Sequence, residues 1–496
     1  MPRPQRRNGG PHAPEATGPV SAPQPPPYPL HALRRYRTPL AGAPPAADPG
    51  APTGGPSNGE PESATPAPGP PPLRRNRPYW LFWTGETISV LGTSITAMLI
   101  SLLAVVVLHA SPIWVGVINA ATWAPWVLIG LPIGAWVDQR SPRAVMVAAD
   151  VGAALALLSV PAAWLTGRLA VEWLAVVSFA VGTSTVFFRA AYPKLVATLV
   201  RREDLAPANS YLTGSESVAQ VSGPPLGGVL AAVFAPAVAV LIDAASYVVS
   251  ALFLLRLPRQ PRPRMDAPRE SLRARIAVGW RFNFADPFLR YFTLQGALSN
   301  TGLTGFQALL VLVLVRELHL TGPQAGLAVG VQGVGTLLGA MAAPPLGRRL
   351  GQARAIVALF CGVGLGGLLL PWGAPGWRVV LMLAGMFLIG FCVVCANVIR
   401  GAWRQAYVPM SLMARTNTAA QTVNFSLMPL AAVAAGGAAE LLGLVPAVAI
   451  MGGIVAVVSF SVLFSPLRGH RDLPGQPSLE LLALAKVAPP AWEDTR

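Results

Sequence analysis

Long, uninterrupted apolar segments run through most of this chain of 496 residues and limit what it can fold into. A helix that crosses a bilayer needs about 20 apolar residues, and twelve segments of that kind follow residue 79. They span residues 80–108, 113–137, 144–165, 173–192, 210–234, 237–257, 288–315, 325–346, 353–371, 377–399, 414–442 and 445–464. They are too long and too uniformly apolar for the tilted strands of a membrane barrel. We therefore predict an all-α polytopic membrane protein with twelve transmembrane helices in two six-helix bundles.

Composition and motifs exclude several other classes. With 53% hydrophobic and only 12% charged residues, the chain cannot cover a soluble surface with polar groups. Its 3 cysteines are too few for a disulfide framework, and Cys392 and Cys395 fall inside one apolar segment. A Walker-type phosphate loop and a His-Glu-x-x-His pair are both absent from the sequence. We expect no enzymatic activity, no cofactor and no metal site.

The basic residues predict how the chain is oriented in the membrane. All but three of the 37 basic residues lie in the two tails or on the same side as the tails, the exceptions being Arg168, Arg316 and Arg378. Cytoplasmic loops carry such an excess of Lys and Arg. We expect a multi-pass protein of the bacterial cytoplasmic membrane with both termini inside. The net charge of +16 then needs no nucleic-acid partner.

Composition also divides the chain into parts. Residues 1–78 hold 23 of the 51 prolines and are predicted to be a disordered Pro- and Arg-rich tail. We predict an N-terminal six-helix bundle at 79–257, a cytoplasmic linker at 258–287, a C-terminal bundle at 288–465 and a tail at 466–496. Within the linker, residues 270–282 can form a basic amphipathic helix that lies on the anionic inner leaflet.

Three stretches resemble a known family. They are Gly134-Ala-Trp-Val-Asp138-Gln-Arg140-Ser-Pro-Arg143, Gly223-Pro224-Pro225-Leu-Gly227-Gly228 and the segment 187–209. With twelve helices in a six-plus-six arrangement, the first stretch resembles the loop signature of major facilitator superfamily transporters, although Gln139 and Ser141 replace its usual Arg and Gly. The segment 187–209 is similar to the branch that contains enterobactin exporters and macrolide efflux pumps, and the Gly223 to Gly228 stretch resembles the Gly-Pro-x-x-Gly-Gly motif of exporting members. The resemblance covers roughly residues 78–466.

The resemblance implies roles for two of these stretches. Gly134, Asp138, Arg140 and Arg143 would form a gate that latches the bundles together on the inner side, or else a solvated loop that only sets orientation. The glycines and prolines from Gly223 to Gly228 would form a closely packed hinge that seals the inward-facing state, or would serve packing alone.

Four carboxylic acids lie within the predicted helices, namely Glu86, Asp150, Glu216 and Asp243. An ionised carboxylate at mid-bilayer costs about 3 kcal/mol on insertion scales, so each of them needs a cavity or a partner. Glu86 and Glu216 each lie about 10 Å along their helices. In the resembled fold the first helix faces a central cavity and the fifth flanks it, which implies that both side chains can reach the same inner half of that cavity. We take these two as proton or cation sites, or as groups that satisfy nearby backbone. Asp150 and Asp243, on helices expected to pack peripherally, are assigned structural hydrogen bonds.

Other polar and aromatic residues receive weaker assignments. Arg189 falls about 24 Å along the fourth predicted helix and is expected near its cytoplasmic end. We expect no basic residue deep in any of the predicted helices. Trp123 and Trp126 would offer an aromatic wall to an amphipathic substrate, or would face lipid or neighbouring helices.

Together these patterns predict a secondary transporter that exports a drug or small amphipathic metabolite by alternating access, driven by protons and working as a monomer. Its expected partners are the lipid bilayer, a small-molecule substrate and protons. An importer or facilitator of the same fold is one alternative, which counterflow in inverted vesicles would separate. A non-transporting sensor or scaffold is another, and deletion of residues 1–70 would then abolish function.

Overall fold

Helices make up nearly all of the chain that the computed structural model describes, which is residues 71–137, 139–258, 272–478 and 481. In the first half these helices are α1 (Arg77–Val107), α2 (112–137, with a break after Leu128), α3 (Pro142–Leu165), α4 (Val171–Leu199), α5 (Leu205–Val233) and α6 (Pro236–Arg256). In the second half they are α7 (Pro287–Arg316), α8 (Gly322–Leu350), α9 (Gln352–Trp372), α10 (Gly376–Tyr407), α11 (410–442, with a break at Leu427) and α12 (Leu444–Phe464). A linker helix, Leu272–Ala285, precedes α7.

Ten helices of the described chain are long and apolar enough to cross a membrane. The remaining two predicted segments are also present as helices, α2 and α5. The described residues contain no strand, and the prediction of an all-α polytopic membrane protein is confirmed. Of the predicted tail, residues 1–70 lie outside the described residues.

Polar caps make several helices begin earlier than their apolar patterns do. The Asn76 side chain accepts a hydrogen bond from the Tyr79 amide and starts α1, directly after a short helical turn at Leu73–Arg75. Asp286 starts α7 by accepting from the Leu289 amide at 2.7 Å. Such caps satisfy backbone N–H groups that the first turn leaves without partners. The described part of the chain therefore includes residues 71–78, which the sequence analysis had assigned to the tail.

The helices of each half pack mainly with one another. In the first half α1 packs on α5 and α6, and α4 packs on α2 and α3. In the second half α10 packs on α8 and α9, and α7 packs on α11 and α12. Two broad contacts join the halves, α5 with α8 and α2 with α11.

Glycines bring those two helix pairs into backbone contact at one end of the helix array. A Cβ on Gly228 would collide with the Gly322 carbonyl, and one on Gly326 would collide with the Pro224 carbonyl. Between α2 and α11, a Cβ on Gly436 would lie 2.6 Å from the Pro112 carbonyl oxygen. We call this end, which carries the loops after α1, α3, α5, α7, α9 and α11, the far end. The opposite end, where the described chain begins and finishes, is the near end.

Two further segments pack at the near end. The linker helix lies on α11, with Gly279 against the Arg415 carbonyl and Phe282 only 1% exposed. The predicted amphipathic helix therefore packs against protein on at least one face. After α12 the chain returns across α9 and α10, where the Pro474 carbonyl accepts a hydrogen bond from Trp403 Nε1 at 2.8 Å.

This returning segment also caps α9. The Gln352 amide donates to Asp472 Oδ1 at 3.0 Å, and the Ala353 amide donates to the Arg471 carbonyl at 3.0 Å. Gly351, between α8 and α9, has a φ of 84°, in the left-handed region where a side chain is strained. A Cβ there would also collide with the Arg471 carbonyl.

The substitution Gly351→Ala is therefore expected to lower the free energy of unfolding by about 1–3 kcal/mol, because it adds backbone strain and pushes the returning segment away. Thermal unfolding of the purified protein in detergent measures the change. Gly453→Ala is the matched control, since nothing lies within 4 Å of the added Cβ and Gly453 is inside a helix. An equal melting temperature for Gly351→Ala and the wild type would contradict the expected effect.

Candidate functional site

A cavity of about 250 Å³ lies inside the first half and collects most of its buried ionisable groups. We call it the acid cavity. Its lining includes Glu86, Ser94, Asp150, Arg189, Glu216 and Tyr247. Glu86 and Glu216, which the sequence places on α1 and α5, thus reach one shared space. The structure also brings Arg189 of α4 and Asp150 of α3 into that space.

Arg189 forms an ion pair with Glu216 inside the acid cavity. The pair is only partly shielded, since the two side chains are 43% and 29% exposed. The guanidinium also lies 5.9 Å from the ring centre of Tyr192 and interacts electrostatically with Glu86. Glu86 itself is 6% exposed. One guanidinium therefore lies within the influence of two carboxyl groups, and it holds one of them directly.

The position of Arg189 differs from the expectation that it lies near the end of its helix. The sequence predicted that the fourth helix ends at Tyr192, but α4 continues to Leu199. The Leu199 carbonyl accepts a hydrogen bond from Asn76 Nδ2 at 2.6 Å, which holds this last part of the helix against α1. Arg189 is consequently ten residues inside the helix end and belongs to the cavity.

Asp150 and Asp243 each interact with a serine of α6, and both line internal space. Ser250 interacts with Asp150, whose Oδ2 is buried and without a hydrogen-bond partner among the described residues. Ser246 donates to Asp243 Oδ1 at 2.8 Å. Asp243 also abuts Gly92 of α1, where any side chain would collide with it. The two acids are therefore less peripheral than their helices suggested.

A second cavity of about 320 Å³ lies between the two halves, toward the far end. We call it the central cavity. Its lining includes Thr93, Ser101, Asn119, Trp123, Asp243 and Gln307. Thr93 and Ser94 line both cavities, so the two spaces adjoin at α1. The Thr93 hydroxyl lies 3.0 Å from the Tyr247 hydroxyl at this junction.

The two predicted tryptophans lie at the contact between the halves. The ring centres of Trp123 and Trp126 are 5.9 Å and 5.1 Å from that of Phe425 on α11. Trp123 also lines the central cavity, whereas the contact found for Trp126 is packing against Phe425.

The predicted gate residues lie at the near end, and the structure describes part of the group. Asp138 lies outside the described residues, and of Gly134 only its place in a helix is described. Arg143 donates a hydrogen bond to the Leu255 carbonyl at the end of α6. The Arg140 guanidinium lies 4.8 Å from the ring centre of Trp136. These contacts join the loop between α2 and α3 to its own half.

The predicted hinge residues lie in an unbroken stretch of α5 between α1 and α8. A Cβ on Gly223 would collide with Ser94, and one on Gly227 would lie 2.8 Å from the Ile95 carbonyl oxygen. On the other side, a Cβ on Gly330 of α8 would lie 2.8 Å from Pro225 Cγ. Gly228 and Pro224 make the backbone contacts with α8 described above. This stretch therefore packs α5 against both halves at once.

Sequence reasoning missed two arginines in the second half. It expected no basic residue deep in a helix and ended the tenth at Ile399, but α10 continues to Tyr407 and includes Arg400 and Arg404. Arg400 lies 5.7 Å from the ring centre of Phe292 and donates to Asn397 Oδ1 at 2.8 Å. Among the described residues, no three His, Cys, Asp or Glu side chains come together as a metal site would require.

Comparisons with known proteins agree with this architecture. Residues 82–433 match the family described as Major Facilitator Superfamily. An uncharacterised MFS-type transporter of Bacillus subtilis is 25% identical over 412 residues, which cover 79% of this chain and 94% of that protein. The enterobactin exporter of Salmonella choleraesuis is 26% identical over 284 residues, 56% of this chain and 66% of that protein. A crystal structure of the nucleoside transporter NupG aligns with a TM-score of 0.64 and 14% identity, over 78% of this chain and 99% of that one, and shows the fold alone.

The Arg189–Glu216 ion pair predicts a measurable coupling between the two side chains. Arg189→Gln and Glu216→Gln each leave one charge without its partner, so the double variant should lose about 1 kcal/mol less stability than the sum of the single variants. Thermal unfolding of the four proteins in detergent gives the cycle. The same cycle with Glu203, whose side chain is 75% exposed, in place of Glu216 should be additive. Additivity in both cycles would show that the ion pair does not form.

Proposed function

The chain belongs to the Major Facilitator Superfamily, as the resemblance in its sequence predicted, and on that premise we propose that it is a proton-coupled exporter of a small amphipathic molecule. It is a multi-pass membrane transporter. In the proposal, substrate and protons move in opposite directions through alternating access. One charge that crosses the membrane potential supplies about 2.3 kcal/mol per 100 mV, which is enough to drive uphill export.

The observation that carries the proposal is the charge imbalance in the acid cavity. Among the described residues, three carboxyl groups, of Glu86, Asp150 and Glu216, share this space with one guanidinium, that of Arg189. Burying unpaired charge in a low-dielectric interior is costly, so the cavity reaches its least costly state when protons neutralise the surplus carboxylates. A site that must take up protons to become neutral is suited to carry them across.

Competition for Arg189 links proton binding to a structural change. Arg189 is paired with Glu216 and also interacts with Glu86. A proton on Glu216 removes the charge that holds Arg189, which then favours Glu86 as its partner. Because Glu86 is on α1 and Glu216 is on α5, the exchange alters which helix α4 is tied to. Thr93 and Ser94 line both cavities, so the stretch of α1 that borders the acid cavity also borders the central cavity, where substrate would bind.

Closure of the far end supports alternating access. If both termini are cytoplasmic, as the arginine distribution predicts, the far end faces outward and the structure corresponds to an inward-facing state. The hinge residues Gly223 to Gly228 then seal the outer side. Asp138, Arg140 and Arg143 would latch the inner side in the opposite state.

Direction is the part of the proposal that rests on resemblance. The Gly-Pro stretch in α5 resembles that of exporting members, and one similar protein is an enterobactin exporter. An importer or facilitator would use the same cavities, but it would not move protons in the direction opposite to the substrate. Counterflow in inverted vesicles separates the two by the side to which substrate is delivered.

Substitution of Glu86 by glutamine tests the proton pathway. In proteoliposomes that contain a pH-sensitive dye, a panel of a macrolide, a cationic dye, a catecholate siderophore, phenyl β-glucoside and uridine should elicit proton movement with at least one compound. Glu86→Gln should lower that flux by at least about tenfold, because the amide retains the shape of the side chain but cannot release a proton.

The matched control is Glu172→Gln, a carboxylate exposed in the first turn of α4 at the far end. Its flux should equal that of the wild type. Flux that survives in Glu86→Gln would exclude Glu86 from the pathway. No proton movement with a compound that demonstrably binds would count against antiport and favour the facilitator.

A second prediction concerns the seal at the far end. Gly326→Leu should force α5 and α8 apart, because a side chain there collides with the Pro224 carbonyl. For labelling, the three cysteines are replaced by serine and Ser101→Cys is introduced into the central cavity. An impermeant maleimide added from outside should then label the Gly326→Leu protein at least about tenfold faster than the same protein with Gly326. That factor corresponds to about 1.4 kcal/mol in the conformational equilibrium. Gly453→Leu on α12 is the control, and equal rates for both variants would contradict the proposed seal.

A further inference from the structure

The lining of the central cavity has a chemistry of its own, distinct from that of the acid cavity. Its uncharged polar groups are two amides, Asn119 from α2 and Gln307 from α7, together with hydroxyls that all come from the first half. Hydroxyls of Thr93, Ser101 and Thr122 lie beside them. Proton exchange requires none of these uncharged groups, so they need another explanation.

Gln307 is the clearest sign that this surface serves a ligand. Its neighbours on α7, residues 308–314, are all buried, whereas Gln307 is exposed, and the space to which it is exposed is the central cavity. Its Nε2 donates to Gln332 Oε1 of α8 at 2.7 Å, which fixes the orientation of the amide. A primary amide has two N–H groups and a carbonyl with two lone pairs, so Gln307 keeps one donor and its acceptor for a ligand.

Asn119 offers a second amide, from the opposite half. It lines the cavity and makes no hydrogen bond to another described residue. Ser101 and Thr122 donate to carbonyls of their own helices, at 2.9 and 3.3 Å, and so present lone pairs to the cavity as acceptors. The surface therefore presents both donors and acceptors, from both sides of the boundary between the halves.

Net charge is nearly absent from this surface. Asp243 is the single ionisable residue among the described residues that line it. Asp243 is 1% exposed, accepts a hydrogen bond from Ser246 and abuts Gly92. It therefore cannot act as an open counter-ion for a cationic ligand. A charged ligand would lose its hydration here without a partner, at a cost of several kcal/mol.

Size and shape narrow the ligand further. A volume of about 320 Å³ lies at the lower end of small-molecule pockets. Trp123 adds a flat apolar wall beside the amides. From these features we propose that the central cavity is the substrate site and that it takes a small, uncharged, hydroxyl-rich solute with one flat apolar face, such as a glycoside or a nucleoside. This inference rests on the proposed transport function and names the substrate class for it.

Equilibrium binding to the purified full-length protein tests the inference. The probes are radiolabelled phenyl β-glucoside and uridine as uncharged solutes, ethidium as a cation and 2,3-dihydroxybenzoate as an anion. At least one uncharged probe should bind, and neither charged probe should compete with it. Gln307→Leu and Asn119→Leu should each weaken binding by about tenfold, because each leaves a ligand hydroxyl without its partner.

Two further variants separate recognition from loss of folding. Gln307→Asn keeps an amide on a shorter side chain and should bind between Gln307→Leu and the wild type. Gln405→Leu removes an exposed amide on α10 that is not part of the cavity lining, and it should bind as the wild type does. Melting temperatures of all variants show whether the fold is retained.

The outcomes distinguish this inference from the proposed function. Failure of both uncharged probes to bind, or binding that Gln307→Leu and Asn119→Leu leave unchanged, overturns the inference while proton flux through Glu86 still stands. Binding that depends on Gln307 without any proton movement upholds the substrate site and overturns proton coupling instead.

Discussion

Backbone contact between glycine-bearing helices is the interaction on which the rest of the structure depends. Apolar side chains gain little by leaving lipid for another helix, so helices in a membrane associate through close packing and hydrogen bonds. Here α5 meets α8 through Gly228 and Gly326, and α2 meets α11 through Gly436. These contacts hold the two halves together at the far end and leave internal space toward the middle of the bundle. The central cavity lies between the halves beside this contact, whereas the acid cavity lies within the first half.

The two cavities divide the polar chemistry between them. Among the described residues, the carboxylates and the arginine of the acid cavity come from the first half, whereas the central cavity draws one amide from each half and its hydroxyls from the first. In the proposed transport cycle the first half binds protons and the boundary between the halves binds substrate. Helix α1 contributes to both, since Thr93 and Ser94 lie at the junction. A shift of this one helix would change both cavities. Coupling between proton binding and substrate binding requires at least one such shared element.

The sequence predicted the helices well where apolar length alone decides them, and poorly where tertiary contacts do. For α12 the predicted and observed bounds differ by one residue, because lipid selects both ends. For α4 the prediction stopped at Tyr192, but the helix runs on to Leu199, where the Leu199 carbonyl accepts a hydrogen bond from Asn76 at the start of α1.

In the candidate site, too, the sequence predicted what a single helix decides and missed what contact between helices decides. Helical rise placed Glu86 and Glu216 at similar depths, and the structure puts them in one cavity. The pairing of Glu216 with Arg189 joins residues 27 positions apart on two helices, and no local pattern in a single sequence encodes that contact. The acid at position 138 and the division into bundles and tails remain predictions from sequence.

The cap on α9 has a consequence for the order in which the protein matures. The groups that satisfy its first amides belong to Arg471 and Asp472, and Asp472 leaves the ribosome 120 residues after the Gln352 amide that it caps. Until then the start of α9 has only water or lipid headgroups for these amides. The near end of the second half therefore completes its packing only after residues 471 and 472 have been synthesised. A chain that stops before Arg471 would leave these amides of α9 without their acceptors.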